Sequence, residues 1–178
     1  MRWAPAVAVV WPVVLAGCDG SMGRLLSPAS ADSDHAAKSS NAVCLTEPDA
    51  DELADQLTRL VNMERFDVGA VQSDVELSVV AAEYACDMIR DGFFGHTNPV
   101  TNAGVVDRVA AGGYDFVYIG EDLAAGIWTA PEIVDAWMDS PSHREIILDP
   151  AFKRIGVAVR FGGSHGIYAV LILADPGE

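Results

Sequence analysis

The chain closes on two β-rich runs, Ile155 to Phe161 and Ile167 to Leu173, joined by Gly162-Gly163-Ser164-His165-Gly166. Two such runs around a glycine-rich link read as a β-hairpin. A terminal hairpin behind a series of helices constrains the fold more than any other feature. The clearest helix carries Leu77, Val80, Ala81, Tyr84, Ala85, Met88 and Ile89 on one continuous apolar face. Ser73 or Asp74 can cap its start, and Gly92 stops it. Upstream, Leu53, Leu57, Leu60 and Val61 recur at helical spacing and predict a helix to about Phe66. Thr46 is its expected N-cap, with Pro48, Asp49, Asp51 and Glu52 near the positive helix end. Downstream, Val105 to Ala111 is a short amphipathic piece, and Phe116 to Ile119 has strand character. Thr129-Ala130-Pro131-Glu132 reads as a capping box ahead of Ile133, Val134 and Trp137. Ser140-Pro141 opens another short helix, which Asp149-Pro150 ends. Helices first and a hairpin last argue for an α+β fold rather than a parallel α/β one.

The N-terminus reads as an address. Residues 1–17, MRWAPAVAVVWPVVLAG, place Arg2 ahead of a short apolar stretch. That is the order of a secretory signal, and the stretch is too short for a permanent span of about 20 residues. Small residues before the cysteine in Leu15-Ala16-Gly17-Cys18 resemble the bacterial lipobox. The resemblance implies that Cys18 becomes the lipidated first residue of an exported chain, anchored to a bacterial membrane and facing the outside or the periplasm. Residues 18–43 follow, rich in Ser, Ala, Gly and Asp, with no helical or strand period. They are expected to be a flexible tether, which leaves 44–178 as the folded domain.

Charge narrows the partners. Lys and Arg number 11 against 26 Asp and Glu, a net of −15. Phosphate backbones repel such a chain, so general nucleic-acid binding is excluded. Loss of Arg2 with the leader makes the balance more acidic still, so any membrane link is expected to come from the lipid. With Cys18 acylated, Cys44 and Cys86 remain. Two cysteines in an exported protein suggest one disulfide; the alternative is a pair of unbonded small hydrophobes.

Three motifs carry a resemblance. They are Gly92-Phe93-Phe94-Gly95-His96-Thr97-Asn98-Pro99, then Gly120-Glu121-Asp122-Leu123-Ala124, then Ala136-Trp137-Met138-Asp139-Ser140-Pro141-Ser142-His143-Arg144. With Asn62-Met63-Glu64-Arg65 before them and Ile155-Gly156-Val157 after, the chain resembles the bacterial branch of the CAP superfamily. Its eponymous members are the cysteine-rich secretory, antigen 5 and pathogenesis-related 1 proteins, and the domain is also called SCP-like. The resemblance covers about Leu53 to Leu173. It implies an α-β-α sandwich, a small antiparallel sheet between helical layers, with a cleft lined by histidines and acids. Carried over by motif, His96 and His143 match the two cleft histidines, and Glu121 matches the acid of a Gly-Glu-Asn motif. The sequence departs from the pattern at Asp122, which replaces that Asn. It departs again at Ser140, where many relatives have a second Glu, and at Ile146, where bacterial relatives have Asn.

Two neutral imidazoles and one carboxylate are a reasonable set for a divalent cation such as zinc. The resemblance therefore implies His96, His143 and Glu121 as metal ligands and as the ligand-binding residues of the cleft. The competing reading is a hydrogen-bonded network that orders the loops. No residue is assigned as catalytic: neither Ser140 nor Ser142 lies in a G-x-S-x-G elbow. The expected function is recognition of a small ligand, a lipid or an envelope protein. A metal-assisted hydrolase of peptide or cell-wall material, and a purely structural envelope protein, are the alternatives.

Overall fold

A computed structural model describes residues 42–177. The expected signal peptide, Cys18 and the tether lie outside the described residues, save for Ala42 and Val43. The described residues form five helices and four strands: α1 (Ala50–Glu64), β1 (Gln72–Ser73), α2 (Val75–Asp91), α3 (Val105–Ala111), β2 (Tyr118–Ala125), α4 (Ala130–Asp139), α5 (Pro141–Ile147), β3 (Arg154–Gly162) and β4 (Gly166–Asp175). The sheet order is β1-β3-β4-β2. β3, β4 and β2 are antiparallel, while the two-residue β1 joins β3 in parallel.

Strand alternation sorts the core into two layers. Leu171, Leu173, Ile155, Val157 and Val159 face α1, α4 and α5, with Leu57, Val61 and Trp137 packed among them. Val170, Ile172 and Ala174 face α2 and α3, against Leu77, Tyr84 and Met88. The expected α-β-α sandwich is present. Gly156 sets the distance on one face, since a Cβ there would stand 2.4 Å from Leu77 of α2. Gly120 does so on the other: a Cβ would meet Ile146 at 2.8 Å and Phe152 at 2.9 Å.

Local expectations meet three corrections. α1 begins at Ala50 behind Asp49, not at Thr46. The capping box at Thr129 closes side chain to side chain, Thr129 Oγ1 donating to Glu132 Oε2 at 2.7 Å, without a bond to the backbone. The strand expected at Phe116 to Ile119 runs instead over Tyr118–Ala125, because it pairs along β4 from Asp175 to Tyr168. The capping of α2 follows the sequence: Asp74 Oδ1 accepts from Glu76 N and Leu77 N, and Gly92 ends the helix at φ 69°.

Two long-range devices join the layers. The cysteines are bonded, Cys44 to Cys86, which ties the segment before α1 to α2. Arg65 at the end of α1 is buried, and its guanidinium donates to the carbonyls of Gly69, Ile147, Asp149 and Phe152. It thereby holds the loop between α5 and β3 against α1, and burial lowers its pKa.

Candidate functional site

β2 is an outer strand of the sheet, and the site lies along it. Glu121 and Asp122 are neighbours on β2, so their side chains leave opposite faces. Glu121 points to the α2/α3 side, like Leu123, and Asp122 to the α4/α5 side, like Ala124. Both are buried.

Glu121 is held from two directions. His96 Nδ1 lies 2.9 Å from Glu121 Oε1, and Arg108 Nη2 donates to Glu121 Oε2. Only 2% of the Glu121 side chain is exposed, against 9% for Arg108 and 56% for His96. A buried carboxylate is thus paired with a buried guanidinium, while an imidazole in contact with it stands in solvent. The hydrogen bond that His96 donates to Glu121 raises the His96 pKa above 6.5, against the opposing effect of partial burial.

Arg108 organises the surroundings. From α3 its Nη1 donates to the His96 carbonyl at 3.1 Å and the Ala103 carbonyl at 3.0 Å. Its guanidinium carbon lies 3.2 Å from the centroid of the Tyr84 ring, a cation–π contact. Tyr84 O–H donates to the Gly95 carbonyl, and burial pushes its pKa up to about 12. The loop that bears His96 is also folded on itself: Asn98 Oδ1 accepts from Val100 N and Thr101 N, and Asn98 N donates to the Ala103 carbonyl. One arginine therefore fixes both the backbone and the carboxylate partner of His96.

His143 comes from the other side, on α5, which packs over Gly120. Its Nδ1 is buried without a hydrogen-bond partner among the described residues. Burial lowers its pKa below 6.5, and the charge of His96 lowers it further. The two rings therefore sense each other electrostatically, but His143 makes no hydrogen bond to His96 or Glu121. Both Asp122 oxygens are likewise buried and unpartnered among the described residues. Desolvation raises the Asp122 carboxyl to about 8, opposed by His96 and reinforced by Glu121, so it is a neutral acid at pH 7.

Of the three residues expected to meet, the structure joins His96 and Glu121 directly and sets His143 beside them. Among the described residues no group of three or more His, Cys, Asp or Glu side chains is disposed to hold a metal ion. Each Glu121 oxygen already accepts one hydrogen bond, so a cation at the trio would share Glu121 with His96 and Arg108. Sequence patterning does not mark Arg108, which follows Asp107 in the short amphipathic piece that forms α3. Asp107 does serve the helix start, accepting from Gly104 N at 2.9 Å, but Arg108 reaches across to β2. Its place one residue before the buried Val109 was the available signal. Ser140 Oγ and Ser142 Oγ bond each other at 3.2 Å, and neither is bonded to His143.

Comparison with known proteins follows the same lines. The CAP family, described as the Cysteine-rich secretory protein family, matches residues 66–173. Over 111 residues the chain is 36% identical to Uncharacterized protein YkwD of Bacillus subtilis (strain 168), covering 61% of this chain and 43% of that protein. It is 28% identical over 106 residues to Uncharacterized membrane protein YlbC of the same strain, covering 58% of this chain and 30% of that one. The match thus spans less than half of either relative. Among solved structures, an outer surface protein from Borrelia burgdorferi shares the fold with a TM-score of 0.64 at 24% identity, over 70% of this chain and 92% of that one. An extracellular protein containing a SCP domain from Bacillus anthracis str. Ames also scores 0.64, at 23% identity, over 74% of this chain and 44% of that one.

Proposed function

Because the chain belongs to the CAP family of cysteine-rich secretory proteins, we propose that it is an exported, lipid-anchored recognition domain whose contact surface is the His96–Glu121–His143 edge of the sheet. One observation carries this reading. A buried Arg108–Glu121 pair holds a half-exposed imidazole, His96, in a defined place beside His143. Burying such a pair costs several kcal/mol of desolvation per ion. Here it positions a solvent-facing donor and acceptor, which is what a binding surface needs. Export is supported by the Cys44–Cys86 bond, of a kind that persists in oxidising compartments, and by the leader pattern of residues 1–17. The lipid anchor rests on Cys18.

Cosedimentation with isolated cell-envelope material tests the recognition reading. Both proteins carry Cys18→Ala, so that the anchor plays no part. The expected result is retention of the otherwise wild-type domain and loss with His96→Ala/His143→Ala at an unchanged thermal midpoint. Equal retention of both proteins refutes it. The anchor has its own test: Cys18→Ala should release the chain from the membrane fraction, and unchanged fractionation refutes lipidation.

Divalent-cation binding is the second reading, favoured by the unpartnered His143 Nδ1. It requires a cation to share Glu121 with Arg108 or to displace it. Calorimetry with zinc at neutral pH distinguishes the cases. Heat in the wild type that the double histidine variant loses supports a cation site. Heat that develops only in Arg108→Gln shows that the guanidinium holds the position the metal needs.

A further inference from the structure

The turn of the terminal hairpin borders a recess that the histidine edge does not use. Its volume is about 460 Å³, within the range of about 300–1,000 Å³ usual for small-molecule sites. Leu45, Glu47 and Asp49 line it from the segment before α1, and Trp128, Phe161 and Gly166 line it from the other side.

Trp128 is an aromatic wall held in place. It is 58% exposed, yet it is not a loose side chain. Gly166, at φ 77°, lets the indole lie against the hairpin turn, since a Cβ there would stand 2.9 Å from Trp128 Cζ2. Phe161 supports the ring at a centroid distance of 6.1 Å. The short segment that carries Trp128 is fixed at both ends. Gly126 N donates to the Ile167 carbonyl at 3.0 Å, and the Thr129 carbonyl accepts from Ile133 N at 3.1 Å as α4 begins. The indole is thus packed against the hairpin and open to water elsewhere.

The opposite wall carries charge. Glu47 and Asp49 are exposed, and neither side chain has a hydrogen-bond or ionic partner among the described residues. Asp49 occupies the N-cap position of α1, yet its carboxylate makes no cap bond. Asp51 and Glu52 in the first turn already answer the partial positive charge of the helix start. Among the described residues no Lys, Arg or His lines the recess. Leu45 bonds Phe161 in both directions, at 2.9 and 3.0 Å, and Cys44 beside it is tied to Cys86. The acidic wall is therefore fastened to the same hairpin on which the aromatic wall rests.

We propose that this recess binds a compact organic cation, a quaternary ammonium group of the choline type. A cation over an indole face is attracted by the ring quadrupole, and choline-like groups are recognised in this way. The two unpaired carboxylates add coulombic attraction from across the recess, and the net charge of −15 repels anionic ligands. The methyl groups of a quaternary ammonium pack on Leu45 and Phe161, and with no N–H donors such a group loses no hydrogen bonds on leaving water. The site uses none of His96, Glu121 and His143, so it goes beyond the recognition edge proposed above.

The test is NMR on the isotopically labelled full chain with choline as probe, against an equal concentration of sodium chloride. The control ligand is dimethylbutanol, in which carbon replaces the charged nitrogen. The expected result is saturable shifts of the Trp128 indole N–H and of the Gly162 and Gly166 amides. Affinity should fall by about tenfold or more for the neutral alcohol, in Trp128→Ala and in Glu47→Gln/Asp49→Asn. All three side chains are exposed, and spectra unchanged elsewhere show that the variants are folded. Absence of shifts to about 50 mM choline overturns the proposal. So do shifts centred elsewhere, equal binding of the neutral alcohol, or equal binding by either variant. Shifts of the same signals by N-acetylglucosamine oligomers but not by choline overturn it in favour of a saccharide platform.

Discussion

Asp122→Asn should stabilise this protein at neutral pH, against the usual cost of altering a buried residue. Asp122 is fully buried in the middle of β2, with both oxygens unpartnered among the described residues. Desolvation raises its carboxyl from 3.8 to about 8. In the folded state the acid is protonated across the neutral range; in the unfolded chain it ionises near its ordinary value. Between those limits the unfolded state binds fewer protons, so stability falls as pH rises, by about 1.4 kcal/mol per unit. At pH 7 the accumulated cost is roughly 4 kcal/mol, taken as an upper figure. Above about pH 8 both states are ionised and the slope vanishes. Asn presents a neutral group of the same shape and carries no such slope. Urea unfolding of both proteins from about pH 5 to pH 9 measures it. The variant's advantage should grow with pH and level off near 8. A difference independent of pH, or a variant less stable at pH 7, refutes the reasoning.

The other expectations are more local. By NMR titration the His96 ring should titrate above 6.5, and Glu121→Gln should bring it down, because the Glu121 hydrogen bond is the main cause of the shift. The stabilisation from this contact is therefore complete below 6.5 and lost as pH rises through the folded pKa; a His96 value unmoved by Glu121→Gln contradicts the assignment. Arg108→Ala leaves Glu121 buried without its guanidinium and frees two carbonyls, so it should cost about 3–5 kcal/mol in denaturant unfolding. Amide exchange should accelerate across residues 95–104 first; uniform acceleration would deny Arg108 its local role. Replacing Cys44 and Cys86 together by Ser removes a link across 42 residues and should cost about 4 kcal/mol in the chain-entropy account. A loss well under 1 kcal/mol would show that the segment before α1 is held by Leu45 and Phe161 instead.

Local periodicity and covalent order make part of this fold readable from the chain alone. The face from Leu77 to Ile89, the stop at Gly92 and the glycine-rich link of the hairpin need only neighbours within a few turns or strands. The motifs around His96, Glu121 and His143 were legible as text, and so was the pair of cysteines. Helix and strand ends were less so, since Thr46 and Asp49 are both good caps and β2 gains its length from pairing with β4.

Tertiary structure alone decided what the site residues do. Arg108 was an ordinary basic residue on a short helix until α3 settled over Tyr84 and beneath the His96 loop. That packing turns Glu121 from an open ligand into one arm of a closed ion pair. His143 and Asp122 owe their shifted pKa values to desolvation, and burial of a group depends on every element packed around it. Charge, solvation and strand pairing are set by neighbours remote along the chain, and folding is what brings those neighbours together.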